Sequence, residues 1–508
     1  MAKTVNLDAM IMREDFAAEE SHVTSNIQTT ISINDLQGNY LTSVIRKPDF
    51  QRETHDWSIE NVIKFIESVV KGQFIPSLIL WKNSGGYIFV IDGAHRLSAL
   101  IAWMKDDYGD GPISRSFFQG YISDEQKKVA ESLRKRINKE IGPYSDYEKA
   151  LTITDGYSEE FVKKARILRS FAFAIQWITG NVETAEESFY NINQRAVSIN
   201  DTELKLIQSR KCDNCIAARA VMYSGTGNKY WKEFEEEKQK EIVSLAKEIN
   251  KLLFEPRYDK PIKTLDLPMC GKNQSNLSFI FELINFSVSS VLNDDVNGDL
   301  TIKRLRETKE LLETISSKTP GSLGLHPIIY FYSKKGNFRV SAFYAILGFI
   351  KYIKAENKLN EFTSVREKFE SFIYKYDYVI DQINRSLRTT KKSVPILTQF
   401  YIDVLEYLKA GNDFDSAIAL LSNSNAYPKF LLEQEDVDII NEDFNSNRKS
   451  EVFIKQAFPT ALKCPICGGL LHVNSISIDH IIRKEDGGNS YTSNGQATHF
   501  YCNTTYKN

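Results

Sequence analysis

Four residues near the C-terminus have the types and spacing of a zinc site. Cys464 and Cys467 form a C-x-x-C pair, and His499 and Cys502 repeat that spacing as H-x-x-C. Zinc prefers four tetrahedral sulfur or nitrogen ligands, which the two pairs supply. A module of fewer than about 60 residues buries little apolar surface, so a structural metal is physically expected. We therefore predict one structural zinc ion. The alternative is free surface thiols, which leave the proline and glycine around the first pair unexplained.

The second candidate for chemistry is an aspartate–histidine pair in the same segment. Asp479 and His480 follow a short predicted strand, SISID, and precede a Gly-Gly turn at Gly487. A histidine beside a carboxylate can act as a general base while the carboxylate holds a divalent cation. By itself, such a pair is also found as a hydrogen-bonded structural feature.

Together with the cysteine pairs, this pattern resembles the HNH endonuclease family, which has a ββα-metal fold. The matching pieces are CPxCG, DHI, the Gly-Gly turn, the later Asn494 and the Cys502-Asn503 dipeptide, and they cover roughly the last forty-five residues. The resemblance implies that His480 deprotonates the attacking water and that Asn494 orients His480. It also implies that Asp479 and Asn503 bind Mg²⁺ or a similar cation, which would stabilise charge in phosphodiester hydrolysis. The alternative is a zinc module without activity.

A second motif lies in VIDGAHRLSAL, which begins at Val90 and reads as a strand, a tight glycine turn and a helix. Such a turn directs backbone N–H groups and the positive end of a helix at an anion. Arg96 adds a bidentate phosphate donor and His95 a second one, while Asp92 could hold a metal or orient Arg96. The geometry suits a nucleotide phosphate. A structural turn with an Asp–Arg pair is the alternative.

With the segment PDFQRETHDW from Pro48, this motif resembles the ParB/sulfiredoxin-like domains, as in the nucleotide-dependent restriction system GmrSD. Their signature reads DGQQR, where this sequence has DGAHR with Ala94 in place of glutamine, and the stretch Phe189–Leu204 looks like the family's Asn-rich segment. The resemblance covers about the first 210 residues. It implies NTP binding and leaves hydrolysis open. The residues expected near the nucleotide are Gln51, Arg52, Asp92, Gly93, His95, Arg96 and Asn193.

Composition limits the class of protein that carries these motifs. The chain has 508 residues, 42% of them hydrophobic, and a formal net charge of −2. The charge excludes a globally basic DNA-binding protein, so DNA contact would rely on local patches. The first 21 residues contain no apolar run typical of a signal peptide, and the longest apolar stretch, Val340–Ile350, is too short to span a bilayer. We expect a cytoplasmic protein without a membrane partner, whose cysteines are reduced or metal-bound.

The helices and strands predicted around these motifs indicate an α+β multidomain protein. Residues 1–120 are expected to form a ParB/sulfiredoxin-like α/β domain, residues 121–440 a mainly α-helical domain, and residues 451–508 the zinc-containing ββα-metal module. A helix is predicted from Ser58 to Gly72, followed by the strands SLILW and YIFVID. The polar stretch Asn441–Ser450 is the candidate linker. Cys212 and Cys215, and the single Cys270, are interpreted as core thiols.

The sequence thus predicts a metal-dependent DNA endonuclease regulated by NTP binding or hydrolysis. A role in defence against phage or foreign DNA follows from the resemblance alone. The alternatives are a nucleotide-switched DNA-binding protein and an NTPase whose zinc module is not catalytic. The expected partners are DNA and a nucleoside triphosphate. The sequence leaves open which NTP binds, which DNA feature is recognised, and whether the chain forms a homo-oligomer or binds a partner subunit.

Overall fold

The structure is a computed structural model in which the chain forms two compact units. It describes residues 4–14, 16, 28–49, 51, 57–83, 85–153, 156–196, 209–271, 277–288, 293–427 and 443–506, and at positions 39, 190 and 193–196 it describes the backbone alone. The first unit contains residues 1–216 and 223–233, and the second contains residues 217–222 and 234–508.

A mixed six-stranded sheet organises the first unit. Its strands are β1 (Arg13–Glu14), β2 (Thr30–Ser32), β3 (Ile45–Pro48), β4 (Leu78–Lys82), β5 (Ile88–Asp92) and β6 (Ala172–Trp177), in the order β1-β3-β5-β4-β6-β2. The pairs β1–β3, β3–β5 and β4–β6 are parallel, and β4–β5 and β2–β6 are antiparallel. The parallel pairing of β3 with β5 brings the segments that follow these two strands to the same edge of the sheet.

Helices cover this sheet and bury a core of aliphatic and aromatic side chains. They are α1 (Ile33–Gln37), α2 (Asn39–Val44), α3 (Ile59–Val70), α4 (Ala94–Lys105), α5 (Pro112–Phe117), α6 (Asp124–Glu140), α7 (Tyr144–Thr152), α8 (Glu159–Ser170) and α9 (Val182–Ala196). The predicted helix start at Ser58 is confirmed, because its side chain accepts a hydrogen bond from the backbone N–H of Asn61 at 3.2 Å. The compact unit extends beyond residue 120, because β6 pairs with β4 inside the sheet.

The second unit is mainly helical, as predicted for the middle of the chain. Helix α10 (Asp213–Met222) runs from the first unit into the second. The helices that follow are α11 (Glu236–Phe254), α12 (Leu277–Ser287), α13 (Asp299–Ile315), α14 (Pro327–Tyr330), α15 (Val340–Ala355), α16 (Leu359–Lys375), α17 (Asp377–Leu387), α18 (Thr390–Lys409), α19 (Phe414–Asn423) and α20 (Ser446–Ala457). The mixed α/β fold class expected from the sequence is confirmed. The division into three domains stays a prediction.

The last part of the second unit is a small ββα arrangement. Strands β7 (Ile476–His480) and β8 (Gly495–His499) form an antiparallel hairpin, and a short final helix includes Cys502–Tyr506. The candidate linker is wrong for the part of it that the structure describes. Asn445 caps α20 by accepting hydrogen bonds from two backbone N–H groups, and the buried Ser450 hydroxyl accepts one from the backbone N–H of Ile262 at 3.0 Å. The polar residues there begin and anchor a helix.

The remaining cysteines are buried as expected for core thiols. Cys212 and Cys215 are buried in the first unit, and Cys270 in the second. Burial raises the pKa of the Cys270 thiol well above its usual value. Within the described ranges, no helix combines the length and the apolar character that crossing a bilayer demands.

Candidate functional site

The four predicted zinc ligands come together in the second unit. All four side chains are buried, and one ligand atom from each lies within 4.8 Å of the others. The turn that carries the two cysteines of the first pair is closed by backbone hydrogen bonds from Cys464 N to Gly469 O and from Gly468 N to Cys464 O, both 2.8 Å long. His499 ends β8, and Cys502 follows in the final helix. Three sulfurs and one nitrogen at this separation fit a zinc ion.

The ring of His499 is oriented for metal binding. Its Nδ1 lies 3.3 Å from Cys467 Sγ and 3.9 Å from Cys502 Sγ, and its Nε2 donates to the backbone carbonyl of Leu470 at 3.0 Å. Burial lowers the pKa of His499, which favours the neutral imidazole that binds metals. A hydrogen bond on the far nitrogen fixes the tautomer in which Nδ1 faces the site.

The thiols of this cluster are electrostatically linked. Hydrogen bonds from the thiols of Cys467 and Cys502 lower the pKa of Cys464, and the same bond with Cys464 raises the pKa of Cys502. A thiolate in this cluster is stabilised by hydrogen bonds from the neighbouring thiols, and zinc binds the thiolate form of cysteine.

The candidate catalytic pair lies at the loop end of the hairpin, opposite the end that carries His499 of the zinc cluster. Asp479 is buried in β7, and its Oδ2 accepts a hydrogen bond from Gln496 Nε2 at 2.8 Å. His480 is the last residue of β7 and is half-buried, and it pairs across the hairpin with Gly495. Glycine at this position places no side chain directly opposite the histidine. Gln496 was missed by the sequence analysis, although its position in NGQATH is two residues after Asn494.

Asn503 lies on the face of β7 that also carries Asp479. Its Nδ2 donates to Ser477 Oγ at 2.8 Å and to the backbone carbonyl of Ile478 at 3.4 Å. Ser477 and Asp479 are two residues apart in a strand and so share a face. Because the amide nitrogen of Asn503 bonds to β7, two of the predicted cation ligands, Asn503 and Asp479, are connected through this strand.

Asn494 holds the long loop of the hairpin together. Its Oδ1 accepts from Ile482 N at 2.8 Å, and its Nδ2 donates to Ile482 O at 3.1 Å and to Asn489 O at 2.7 Å. Its own backbone carbonyl accepts from Ile481 N at 2.9 Å. These bonds fix the backbone that directly follows His480. Any effect of Asn494 on the histidine would therefore act through this loop.

The helical part of the second unit supports the short final helix. The backbone N–H of Tyr501 donates to Ser322 O at 3.0 Å, and its hydroxyl donates to Asn360 Oδ1 at 2.7 Å. The hydroxyl of Thr504 donates to Pro320 O at 3.1 Å. The helix that carries Asn503 is thus held by contacts within its own unit.

The predicted nucleotide turn has the expected backbone shape. Gly93 has φ = 100° and begins α4, and a Cβ at this position would collide with the side chain of Leu78. Arg96 pairs with Asp92 Oδ2 at 2.7 Å and donates to the carbonyls of Ser77, at 3.3 Å, and Pro76. Burial lowers the pKa of Arg96. The Asp–Arg pair proposed as the structural alternative is therefore present in this structure.

Gln51, from the PDFQR motif, contacts the strand that leads into this turn. Gln51 donates from Nε2 to the carbonyl of Ile91 at 3.4 Å, and within the described part of the chain its buried Oε1 has no hydrogen-bond donor. The ring of His95 stacks on Trp57, with 5.7 Å between centroids. Arg52 and the side chain of Asn193 lie outside the described residues. An orphaned acceptor beside a glycine turn at a helix start fits a hydrogen-bonding ligand such as a nucleotide.

One further arginine, which the sequence analysis missed, lies beside this segment. Arg210 pairs with Asp49 at 2.9 Å and with Glu186 on α9 at 3.0 Å. It follows the Asn-rich stretch in the chain. The only local signal was the basic Arg-Lys pair in QSRK, which does not reveal a distant carboxylate partner.

Comparison with known proteins agrees with both halves of this description. Residues 33–209 match the family model of the GmrSD restriction endonuclease N-terminal domain, and residues 464–508 match that of the HNH endonuclease. No curated protein and no solved structure gives a significant match to the chain. The two domain matches support a nuclease of the restriction type. The resemblance to GmrSD-like HNH endonucleases is therefore confirmed: the chain joins a GmrSD-type N-terminal domain to a C-terminal HNH endonuclease domain.

Proposed function

We propose that the protein hydrolyses DNA phosphodiester bonds and that Asp479, His480 and Asn503 form its active site. The observation that carries the proposal is the bond from Asn503 to Ser477, which joins the final helix to the face of β7 that holds Asp479. An isolated zinc-binding grip would not need a carboxylate, an imidazole and an amide at adjoining positions of a hairpin and its helix. This favours catalysis over the alternative of a non-catalytic zinc module.

Each residue has a role that follows from its chemistry. His480 takes the proton from the attacking water, because a neutral imidazole is an effective base near neutral pH. Asp479, held by Gln496, and Asn503, held by Ser477, present oxygen atoms that suit Mg²⁺ or a similar hard cation. When bound, such a cation supplies charge stabilisation for the phosphoryl oxygens.

The test of this assignment is a plasmid-nicking assay with Mg²⁺ and an EDTA control. His480→Ala should lower the cleavage rate by about 10²- to 10⁴-fold, the usual contribution of a general base, while DNA binding is retained. Val473→Ala, at an exposed position of the same module, is the matched control and should cut at the wild-type rate. Cleavage by His480→Ala at the wild-type rate would rule out this histidine as the base.

We also propose that the N-terminal unit binds a nucleoside triphosphate and regulates cleavage. The supporting observations are the left-handed Gly93 at the start of α4 and the unsatisfied Oε1 of Gln51 next to it. For phosphate to bind Arg96, the guanidinium must exchange some of its bonds to Asp92 and the Pro76–Ser77 carbonyls for bonds to phosphate. Such an exchange gives the ligand a differential affinity for two states of the turn, which regulation requires.

Regulation is tested by measuring cleavage with and without each NTP, for wild type and Arg96→Ala. We expect the variant to lose NTP binding and the NTP dependence of cleavage while keeping its zinc. Either activation or restraint by NTP fits the proposal. Identical rates under all these conditions would mean that the two units work independently. With this coupling, the protein would act as a controlled nuclease against phage or other foreign DNA.

A further inference from the structure

A buried arginine from the helical part of the second unit lies against the zinc cluster. Arg366, on α16, has only 1% of its side chain exposed. Its Nη1 lies 3.4 Å from His499 Nδ1, the predicted ligand atom. The remaining guanidinium nitrogens are fixed, because Nη2 donates to Gly324 O at 2.9 Å and Nε to Glu370 Oε1 at 2.7 Å. Glu370 is one counter-charge of this buried guanidinium, and the cysteine cluster is a second anionic group beside it.

The turn that carries the first cysteine pair is shaped around this arginine. A Cβ at Gly469 would collide with the Arg366 side chain, so only glycine lets the turn lie this close. Glu370 Oε2 accepts the backbone N–H of Leu470 at 2.9 Å, and its Oε1 also accepts the Tyr330 hydroxyl at 2.9 Å. The zinc turn and α16 are therefore joined through one buried network of charged and polar groups.

Charge balance indicates what the arginine does. Three thiolates, a neutral imidazole and Zn²⁺ sum to a net charge of −1 in a site where all four ligands are buried. We propose that Arg366 is the counter-ion of this zinc–thiolate centre, so that zinc binding and attachment of the HNH module to α16 stabilise each other. This inference rests on the zinc assignment and is independent of whether the module cleaves DNA.

The competing explanation is that the network is only structural, with Arg366 serving to hold Glu370. The two explanations predict opposite effects for Glu370→Gln. If Arg366 acts through its charge, removing the Glu370 carboxylate leaves that charge to interact more strongly with the anionic zinc–thiolate centre. Zinc affinity then stays equal or rises. If the network only holds the turn in shape, loss of the Arg366–Glu370 pair weakens zinc binding as much as loss of the arginine does.

The experiment measures zinc affinity of the full-length protein by competition with a chromophoric chelator. Arg366→Met should lower the affinity by about 10- to 100-fold, the usual effect of removing an outer partner of a metal ligand. Arg339→Met is the matched control: it removes a buried arginine from the Asp377–Asp381 network of the same unit and should leave zinc affinity unchanged. Far-UV circular dichroism checks that each variant is folded.

Two results would overturn the proposal. One is wild-type zinc affinity in a folded Arg366→Met variant. The other is a loss of affinity in Glu370→Gln as large as the loss expected for Arg366→Met. The second variant decides the question by itself if Arg366→Met does not fold. Neither readout uses cleavage, so a protein that fails the nicking assay can still pass this test.

Discussion

The loop after His480 offers a sharp test of how the proposed catalytic histidine is held. Asn494 is 92% buried, with 8% of its surface exposed, and its side chain makes the three hydrogen bonds to Ile482 and Asn489 described above. At about 1 kcal/mol per bond, with an added cost for groups left unsatisfied, Asn494→Ala should destabilise the closed loop by about 2–4 kcal/mol. Since 1.4 kcal/mol corresponds to a factor of ten, this equals roughly 30- to 1,000-fold in the opening equilibrium.

Amide hydrogen exchange measures this change directly and contains its own control. In Asn494→Ala the Ile482 amide loses its acceptor, whereas the Ile481 amide keeps its bond to the backbone carbonyl of residue 494. Exchange at Ile482 should accelerate the more of the two. Asn494→Asp keeps an acceptor for Ile482 N and so should protect that amide better than alanine does. Cleavage should fall in the alanine variant with zinc unchanged. Faster exchange with wild-type cleavage would refute the idea that this loop positions His480.

Three further predictions concern other parts of the chain. Cys464→Ser should remove the single tightly bound zinc ion and loosen the ββα module while the first unit stays folded, which metal analysis and limited proteolysis can check. Gly93→Ala should destabilise the nucleotide turn by about 1–3 kcal/mol, because φ = 100° is strained for alanine. Thermal melting with and without NTP measures this change. An unchanged melting midpoint would mean that the turn is not strained. Burial lowers the pKa values of His326 and His472, so the folded state binds fewer protons than the unfolded one, and the free energy of unfolding should fall as pH drops below about 6.5. Urea titrations should give a flatter pH dependence for His472→Gln, and an identical slope would contradict this origin.

Local patterns in the sequence were enough to predict the cluster of three cysteines and one histidine and several elements of the first unit. The paired spacing of Cys464–Cys467 and His499–Cys502 indicates metal binding without knowledge of the fold, since the two residues of each pair are close in the sequence. The start of α3 at Ser58 is likewise local, because the capping side chain and the N–H that it binds are three residues apart. Such features depend little on the remainder of the fold.

Features that depend on distant partners could not be predicted in the same way. Arg366 lies in VREKFE, which reads as an ordinary charged helix face, and its burial arises only when a turn about a hundred residues later packs on it. The polar start of α20 read as a linker for a similar reason, since the partner of Ser450 is the backbone of Ile262. Periodicity identifies which face of a helix can be buried, but it does not identify what covers a polar face.

The contacts of the HNH module also constrain how its activity can be controlled. The zinc turn is bonded to α16 through Glu370, and the final helix is bonded to the 320–324 segment through Tyr501. Moving the module alone would break both sets of bonds and expose the buried charge of Arg366, which costs several kcal/mol. A nucleotide whose differential affinity is in the usual range of about 1–3 kcal/mol could not supply that. Control by the N-terminal unit therefore requires less free energy if it changes access of DNA to His480, or the conformation of the loop that Asn494 holds. The half of the module that carries the zinc cluster then stays bound to its helices.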